Sequence, residues 1–433
     1  MARIKIAYIG GGSTRGVGTM ASFIEQADNF AGSEIVLIDL NEERLDLVRR
    51  LAEHVARSRG ADLTVTATTD RRAGLQDVDA VLSSYRPGGF EARVLDERIP
   101  LAHGVVGQET QGPGGFFMAL RAVHVLRGIL DDLEAVAPKA RIFNYTNPVN
   151  ILAQAVTMHT DWEFASFCEG PIIYTEELAE TAGLDPADLD TAFTGVNHNS
   201  WSVRHLYRGE DAIPHIREAW ERRRDDAGID PRRARQLRLA ALMGTIPSEY
   251  FMYYYFTDEI VSELQAKPTT RAEDILAAVP GYWRHYEEQL SSDDPQLDPA
   301  RSRGGINELE LAIDAMDAVF NDRGEVLPVN VPNVGRAVPD LDEEVVVEVP
   351  GRCGADWITP LPQEPLPLQV RGLVQMLAEY QVLAARAAWS GDRHEGILAL
   401  AANPLVRSVE KAERIYDELA AAHRAYLPER LLA

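Results

Sequence analysis

The chain has 433 residues, of which 45% are hydrophobic and 25% are charged, and its formal net charge is −24 at pH 7. This length is too great for one ordinary hydrophobic core and predicts two domains. The acidic balance argues against nucleic acid or an anionic membrane surface as a partner. The two cysteines indicate no disulfide framework, and no apolar run is long enough to cross a bilayer, so we expect a cytoplasmic location.

The most informative stretch is the N-terminal one, residues 4–18. Residues 4–9 form a short apolar run, which is typical of a strand buried on both faces of a parallel sheet. Three glycines and two hydroxyl residues follow directly: Gly10, Gly11, Gly12, Ser13 and Thr14. We expect the two hydroxyl residues to cap the next helix. A strand, a glycine turn and a helix N-terminus form a pocket of backbone N–H groups for a pyrophosphate.

The second predicted strand, residues 35–38, ends in Asp39. A carboxylate at this position accepts a hydrogen bond from the ribose 2′-hydroxyl and disfavours a 2′-phosphate, so we predict NAD rather than NADP as cofactor. Arg44, in the helix that follows, is a further candidate cofactor residue. The glycine spacing departs from the usual Gly-x-Gly-x-x-Gly pattern, because Arg15 stands where the third glycine would fall. A plain tight turn is the alternative interpretation.

Strand-like and helical runs alternate as far as about residue 165. The strand-like runs are residues 4–9, 35–38, 63–66, 80–83, 142–145 and 163–167, and the helical runs include residues 42–59 and 116–137. This alternation predicts an α/β fold with a Rossmann-like doubly wound parallel sheet, of the kind found in malate and lactate dehydrogenases. We assign residues 1–195 to this NAD-binding domain.

Residues 196–433 have a different pattern and are assigned to a second, mixed α+β domain for substrate binding, the metal site and oligomerisation. Helical runs are predicted at residues 216–226, 231–243, 248–264, 308–320, 368–390 and 407–423. Short strands are predicted at residues 326–330 and 345–349. Residues 291–304 are polar and rich in Asp and Pro, and they are predicted to form a mobile loop.

Five side chains are candidates for chemistry on their own merits. A thiolate at Cys168 and an imidazole at His198 would suit a divalent transition metal with open positions, although a packed thiol and a hydrogen-bonded histidine are the alternative. Tyr250 opens an aromatic run, which is usually core, but a phenol acts as a base when a nearby cation lowers its pKa. Arg86 and Arg303 each stand beside a glycine pair, where a guanidinium group can bind an anion or simply face solvent.

Motifs along the whole chain resemble those of family 4 of the glycoside hydrolases, the NAD- and manganese-dependent glycosidases. They are Ile-Gly-Gly-Gly-Ser at 9–13, Asp-Glu-Arg-Ile-Pro at 96–100, Gly-Gln-Glu-Thr-Gln-Gly-Pro-Gly-Gly at 107–115, Asn-Tyr-Thr-Asn-Pro-Val at 144–149, Gly-Val-Asn-His at 195–198, Ile-Pro-Ser-Glu-Tyr-Phe-Met-Tyr-Tyr-Tyr at 246–255 and Leu-Pro-Leu-Gln-Val-Arg at 366–371. The segment 96–115 is most similar to the 6-phospho-β-glucosidase branch.

The resemblance implies hydrolysis by way of a redox cycle. A hydride leaves C3 of the sugar for NAD⁺, the C2 proton is removed, the aglycone leaves C1, water adds and the hydride returns. The resemblance assigns Mn²⁺ or another divalent metal to Cys168 and His198, and makes Tyr250 the base at C2. Glu169 is either an acid for the leaving group or a third metal ligand. The implied substrate residues are Arg86, Asn147, Asn197 and Arg303.

Two positions depart from the 6-phospho-β-glucosidase pattern, and they bear on the substrate. Glu169 adds a negative charge that would repel a phosphate, and Met252 stands where an arginine is expected. The alternative substrate is therefore a non-phosphorylated or otherwise 6-substituted glycoside, such as an α-glucoside, an α-galactoside or a glycuronide. Rival functions are a net NAD-dependent dehydrogenase of a hydroxy acid and a non-catalytic sugar or nucleotide sensor. The resemblance also implies a homodimer or homotetramer acting on a small sugar glycoside.

Overall fold

A single mixed β-sheet organises the fold. The computed structural model describes residues 1–303 and 310–432, and within them the sheet has twelve strands. The strands are β1 (Lys5–Ile9), β2 (Ser33–Ile38), β3 (Leu63–Thr68), β4 (Ala80–Ser83), β5 (Arg141–Asn144), β6 (Phe164–Ser166), β7 (Leu189–Val196), β8 (Asn199–Tyr207), β9 (Glu210–Asp211), β10 (Glu325–Pro332), β11 (Val346–Gly354) and β12 (Trp357–Pro360).

The strand order is β3-β2-β1-β4-β5-β6-β10-β11-β7-β8-β9, with β12 beside β11. From β3 to β6 all neighbouring strands run parallel, whereas β10 lies antiparallel to β6 and joins the later strands to the same sheet. The order 3-2-1-4-5-6 is that of a dinucleotide-binding Rossmann sheet, so the predicted fold class is confirmed. Because the sheet runs through both halves of the chain, the division at residue 195 stays a prediction.

Helices cover both faces of the parallel strands, which explains why β4 and all of β1 after Lys5 are buried. The α-helices of the described residues are α1 (Gly16–Glu25), α2 (Glu42–Arg59), α3 (Arg71–Gly74), α4 (Gly89–Ala102), α5 (Gly112–Val136), α6 (Val149–His159), α7 (Gly170–Ala182), α8 (Ile213–Arg223), α9 (Pro231–Met243), α10 (Met252–Tyr255), α11 (Thr257–Ala266), α12 (Arg271–Leu290), α13 (Glu310–Phe320), α14 (Leu368–Trp389), α15 (Arg393–Ala402) and α16 (Val409–Ala422). None of the helices in these residues is both long and apolar enough to span a membrane.

Short 3-10 turns lie between these elements, at Ala27–Phe30, Pro186–Asp188, Glu249–Phe251, Pro299–Arg301, Val334–Arg336, Arg424–Tyr426 and Glu429–Leu431. The predicted loop at residues 291–304 is without strand or α-helix over its described part, and its last residue, Gly304, lies outside the described residues. Most other predicted elements are present, with ends that differ by a few residues.

The prediction that Ser13 and Thr14 cap the first helix is wrong. Helix α1 begins at Gly16, its N-cap is Arg15, and no side chain caps it. The glycine turn makes its own backbone bonds instead, since the Gly16 N–H donates to the Ser13 carbonyl at 3.0 Å. The Ser13 hydroxyl is therefore left for another partner.

The single helix predicted at residues 248–264 is also wrong. The chain forms the 3-10 turn Glu249–Phe251, then α10, and then α11 after a break at Phe256, whose φ is −133°. The Phe256 ring meets the Phe251 ring edge-on at 6.2 Å, so side-chain packing in the core outweighs local helix propensity. Tyr250 lies in the 3-10 turn that precedes α10 rather than in the first turn of one long helix.

The sequence pattern missed the hairpin formed by β7 and β8, and it missed α12. The last five residues of β7 are all buried, so the strand shows no apolar–polar alternation at the end that approaches the site. Helix α12 opens with a capping box between Thr270 and Glu273, a local signal that the sequence did contain.

A hydrogen-bond network ties the carboxyl ends of three parallel strands together. The Ser83 hydroxyl donates to Asn144 Oδ1 at 2.7 Å, and Asn144 Nδ2 donates to Ser166 Oγ at 2.9 Å. These residues end β4, β5 and β6, and all three are buried. The loops that leave this edge of the sheet therefore start from fixed positions, as expected for a ligand site in an open α/β sheet.

Candidate active site

The glycine-rich turn at residues 10–16, called the cofactor turn below, follows β1 and contacts Asp39 just after β2. Gly10 has φ +94°, and a Cβ there would lie 2.0 Å from the Ser84 carbonyl oxygen, so only glycine fits. The Asp39 carboxylate accepts hydrogen bonds from the Gly12 N–H at 2.9 Å and from the Leu40 N–H at 2.7 Å. Asp39 thus stands beside the glycine turn, as the sequence pattern predicts.

The third glycine of the motif is Gly16, one position later than the pattern requires. A Cβ on Gly16 would lie 2.3 Å from the Gly11 carbonyl oxygen, so Gly16 permits the close packing of α1 on the turn. The Ser13 hydroxyl is buried and has no hydrogen-bond partner among the described residues. A tight glycine turn with an unpaired hydroxyl suits a pyrophosphate, so the cradle fits a dinucleotide.

Two other predicted cofactor residues have protein partners. The Thr14 carbonyl oxygen accepts a hydrogen bond from the Tyr286 hydroxyl at 2.8 Å. The Arg44 guanidinium lies 4.5 Å above the Trp283 ring and forms an ion pair with Glu287 at 3.8 Å. Arg44 therefore packs against α12, and its contact with a cofactor stays a prediction.

The candidate metal ligands Cys168 and His198 come together. Cys168 lies just beyond β6, and His198, with φ +65°, lies in the turn between β7 and β8. Their Sγ and Nε2 atoms are 3.6 Å apart. Metal–ligand bonds of about 2.3 and 2.1 Å at a tetrahedral angle place the two ligand atoms about 3.6 Å apart, so the pair fits one shared cation.

The electrostatics of the pair depend on a cation. Burial lowers the pKa of His198 to about 3, so the imidazole is neutral at pH 7 and has a lone pair to offer. Burial, helped by the carboxylates of Glu348 and Glu169, raises the pKa of Cys168 above its ordinary value. A bound divalent cation reverses that effect, because it favours the thiolate.

No third His, Cys, Asp or Glu joins this pair among residues 1–303 and 310–432. Glu169 is instead the acceptor of a hydrogen bond from the Tyr145 hydroxyl. The structure therefore does not arrange Glu169 as a third metal ligand. Two protein ligands leave several positions open for substrate oxygens or water.

Tyr250 contacts the metal-ligand pair through His198. Its ring stacks on the His198 imidazole, with centroids 3.9 Å apart and an interplanar angle of 28°. Burial lowers the pKa of Arg93, but interactions with Glu109, Glu97 and Tyr250 raise it above its ordinary value. A guanidinium close enough to interact with the phenol favours the phenolate form that a base requires.

Arg86 and Arg303 lie in a buried cluster of charges. Glu109 bridges two arginines: it is 2.5 Å from Arg86 and 2.9 Å from Arg93. The guanidinium groups of Arg86 and Arg303 lie 5.5 and 4.2 Å from the centre of the Phe90 ring. Burial opposes ionisation of Glu109, yet the nearby arginines hold its pKa at about 2.

Sequence reasoning missed Glu109 and Arg93 as members of the site. Both lie within or near the quoted motifs, and a carboxylate in the glycine-rich loop 107–115 was an available signal. It also missed Glu348, a buried carboxylate of β11 that accepts hydrogen bonds from Asn197 at 2.7 Å and from Ser200 at 2.5 Å. No local sequence pattern predicts the role of Glu348, because only the pairing of β11 with β7 brings it next to Asn197.

Three predicted substrate residues have buried polar atoms without a hydrogen-bond partner in the described part of the chain. These atoms are Arg86 Nη1, Asn147 Oδ1 and Asn197 Oδ1. Buried polar atoms are normally paired, so unpaired ones around a metal-ligand pair indicate a polar ligand. The structure thus gathers the predicted metal, base and substrate residues at one edge of the sheet.

Comparisons with known proteins identify the family of the chain. A model described as Family 4 glycosyl hydrolase matches residues 5–184, and one described as Family 4 glycosyl hydrolase C-terminal domain matches residues 193–406. The chain is 32% identical to the protein named "Probable 6-phospho-beta-glucosidase" from Bacillus subtilis (strain 168), over 98% of each chain.

Two solved structures share the fold at 24% identity. One is a 6-phospho-alpha-glucosidase from gut microorganisms in complex with NAD and Mn²⁺, and the other is the 6-phospho-beta glucosidase from Thermotoga maritima with NAD and glucose-6-phosphate. Each has a TM-score of 0.86, and the match covers 99% of this chain and 100% of the other. The family models match most of the sequence, and the chain therefore belongs to family 4 of the glycosyl hydrolases.

Proposed function

We propose that the protein is an NAD- and divalent-cation-dependent glycosidase that hydrolyses the glycosidic bond of a 6-phosphoglucoside. The observation that carries the substrate class is the charge cluster beside the metal-ligand pair. Three guanidinium groups, those of Arg86, Arg93 and Arg303, interact with the Glu109 carboxylate, and Arg93 also pairs with Glu97. Guanidinium groups gathered around one carboxylate suit an anionic group on C6.

The lowered pKa of Arg303 supports the proposal that this cluster binds an anion. Burial, together with repulsion from Arg15 and Arg86, lowers the pKa of Arg303. An anion bound between these groups would relieve the repulsion, as a phosphate does among clustered arginines. Met252, by contrast, is buried in the hydrophobic core, so its replacement of an arginine leaves this cluster intact.

The chemistry supplied by bound NAD⁺ and a divalent cation is reversible oxidation at C3 and polarisation of the C2 and C3 oxygens. Bound NAD and Mn²⁺ in the structure of the gut relative support the same requirement in this chain. Asp39 and the glycine turn would hold the dinucleotide, and Cys168 and His198 would hold the cation. The usual pair of catalytic carboxylates is not needed, since NAD-dependent family 4 enzymes are an exception to that mechanism.

The remaining site residues handle protons and orientation. Tyr250 takes the C2 proton, which becomes acidic only once C3 is oxidised. Glu169, with one carboxylate oxygen held by the Tyr145 hydroxyl, delivers a proton to the leaving oxygen at C1. The unpaired amide oxygens of Asn147 and Asn197 accept hydrogen bonds from sugar hydroxyls.

We also propose that the protein is cytoplasmic and forms a homodimer or homotetramer. Cys168 and Cys353 are both free thiols, which agrees with a reducing cytoplasm. Exposed apolar side chains such as Leu368 and Leu242 agree with a homodimer or homotetramer.

The test is a substrate panel with dialysed protein, NAD⁺, Mn²⁺ and reductant, from which each component is omitted in turn. The panel contains nitrophenyl 6-phospho-β- and 6-phospho-α-glucosides, unphosphorylated glucosides and galactosides, and glucuronides. We expect aglycone release that needs both NAD⁺ and Mn²⁺ without accumulation of NADH. We also expect kcat/KM to favour phosphorylated substrates by roughly 100-fold, because charge-assisted hydrogen bonds contribute about 1.5–3 kcal/mol each.

Charge-removing variants make the test specific. Arg303→Met should lower kcat/KM for the phosphorylated substrate and barely change it for the plain glucoside. Arg98→Met is the matched control, since Arg98 is an exposed arginine of α4 paired with Glu273. Equal rates on phosphorylated and plain glycosides would refute the 6-phosphate, a preference for glucuronides would identify a carboxylate instead, and accumulating NADH without aglycone would indicate a dehydrogenase.

A further inference from the structure

We propose that Thr110 is a positioning residue that fixes the protonation pattern of the His198 ring so that Nε2 is free to bind the divalent cation. This inference rests on the proposed function, in which His198 is a metal ligand. Thr110 would act on the metal site only through the His198 ring. Its hydroxyl oxygen lies 3.1 Å from His198 Nδ1, on the opposite side of the ring from Cys168.

The argument begins with the two nitrogens of a neutral imidazole. One carries a proton and donates, and the other has a lone pair and accepts. Nε2 lies 3.6 Å from Cys168 Sγ, so Nε2 is the nitrogen that faces the shared cation. It can bind a cation only when the proton is on Nδ1, and Nδ1–H then needs an acceptor.

The Thr110 hydroxyl is prepared to be that acceptor. Its own proton is donated to Gln108 Oε1 at 2.9 Å, which leaves oxygen lone pairs for His198. Gln108 Oε1 also accepts the backbone N–H groups of Thr110 at 2.5 Å and of Gln111 at 2.8 Å. The side chain of Gln108 is thereby fixed, and so is the direction of the Thr110 hydroxyl bond.

A second neighbour of Nδ1 acts in the opposite sense. Gln111 Nε2 lies 3.3 Å from Nδ1, and the amide orientation is set by a bond from Nε2 to the Thr110 carbonyl oxygen at 3.0 Å. The Tyr254 hydroxyl donates to Gln111 Oε1, which fixes the other end of the amide. Gln111 thus presents a donor to Nδ1 and favours the tautomer that cannot bind a cation through Nε2.

The two neighbours therefore make opposite predictions for metal affinity. Removing the Thr110 oxygen leaves Nδ1–H without an acceptor, which penalises the metal-binding tautomer. Removing the Gln111 donor relieves a contact that opposes it. Partners of this kind typically change metal affinity by about 10–100-fold. Packing alone would make both substitutions harmful, so the pair distinguishes hydrogen bonding from space filling.

The experiment is a titration of metal-free protein with Co²⁺, in which the thiolate-to-cobalt absorption band reports binding. We expect Thr110→Val, and Thr110→Ala if valine disturbs packing, to weaken Co²⁺ binding by about 10–100-fold. Thr110→Ser keeps the hydroxyl and should bind within about threefold of the wild type, and Gln111→Met should bind no more weakly than the wild type. ¹⁵N chemical shifts of His198 in the metal-free protein should show more Nδ1–H tautomer in the wild type than in Thr110→Val.

Two controls separate the outcomes. NAD affinity should be alike in all variants, because the cofactor turn lies elsewhere, and circular dichroism should show that each variant is folded. The inference is overturned if Thr110→Val binds Co²⁺ like the wild type, or if Thr110→Ser or Gln111→Met loses as much affinity as Thr110→Val. Failure of the proposed metal site has a different signature: the wild type itself would give no thiolate-to-cobalt band, and Cys168→Ser would change nothing.

Discussion

The ring of Tyr250 lies on the ring of His198, with centroids 3.9 Å apart, although His198 lies in the turn between β7 and β8 and Tyr250 lies in the 3-10 turn Glu249–Phe251. The contact joins the candidate base to a candidate metal ligand. A sugar bound through its oxygens at the metal site would therefore lie near the phenol. Neither residue could have been assigned this relationship from its sequence neighbours.

Tyr250→Phe should abolish proton removal at C2 and leave metal binding intact. We expect kcat to fall by about 10²–10⁴-fold, the range typical of losing a general base, with little change in Co²⁺ affinity. The measurement is solvent deuterium incorporation at C2 of the product together with kcat. Tyr253→Phe is the matched control, because the Tyr253 ring neighbours Tyr250 at 5.9 Å. Undiminished exchange in Tyr250→Phe would assign the base elsewhere.

Asp39→Asn should weaken NAD binding. The substitution removes a charged acceptor for the ribose hydroxyl, which contributes about 1.5–3 kcal/mol and corresponds to a 10–100-fold higher dissociation constant. The change should also reduce the preference for NAD over NADP. Fluorescence titration with both cofactors measures it.

The control for that variant is Asn41→Ala. Asn41 lies two residues further on and caps α2 by accepting the Arg44 N–H at 2.9 Å. Its loss should cost about 1 kcal/mol of stability with unchanged NAD affinity. If Asn41→Ala weakened NAD binding as much as Asp39→Asn, general loosening of the region would explain both.

Glu169→Gln should impair the enzyme according to the basicity of the leaving group. Alkyl aglycones need a proton on the leaving oxygen, whereas nitrophenolate leaves readily without one. We expect a loss of about 10²–10⁴-fold with alkyl glycosides and a much smaller loss with nitrophenyl glycosides. Glu176→Gln, an exposed change on the same helix α7, is the control. Equal losses on both substrate types would exclude the proton donor role.

Glu109→Gln should destabilise the protein at neutral pH and should change its acid sensitivity. The substitution leaves Arg86 and Arg93 without their shared carboxylate, which for buried pairs costs about 3–5 kcal/mol. The folded-state pKa of Glu109 is lowered from 4.5 to about 2. The stability it contributes is therefore complete above about pH 4.5 and is lost as the pH falls towards 2.

Urea unfolding between pH 7 and pH 3 checks this sign. The stability difference between wild type and Glu109→Gln should stay constant down to about pH 5 and shrink below it. Glu218→Gln removes an exposed ion pair with Arg222 and should show no such dependence. A difference that grew on acidification would contradict the assigned pKa direction.

Local sequence signals predicted the parallel, dinucleotide-binding part of the sheet well. The strand, the glycine turn and Asp39 interact within one βαβ unit, so their spacing carries most of the information. The same locality explains an error: the hydroxyls of Ser13 and Thr14 matched a cap pattern, but backbone bonds inside the turn moved the start of α1 to Gly16.

In the aromatic run at residues 250–256, helix propensity gave the wrong prediction. Residues 248–264 have helical character throughout, yet the helix is broken at Phe256, which packs against Phe251, and Tyr250 lies in a 3-10 turn beside His198. Core packing outweighs helix propensity, which differs among ordinary residues by well under about 1 kcal/mol each.

The sequence by itself determined the fold class and the family, and it singled out Cys168, His198 and Tyr250 as candidate metal-ligand and base residues, because motifs retain both residue type and order. Only the tertiary structure decided how they meet. Strands β6 and β7, which carry Cys168 and lead to His198, are separated in the sheet by β10 and β11 from much later in the chain. The 3.6 Å approach of sulfur to nitrogen, and the shared carboxylate of Glu109, therefore depend on strand order and long-range packing, which no local pattern encodes.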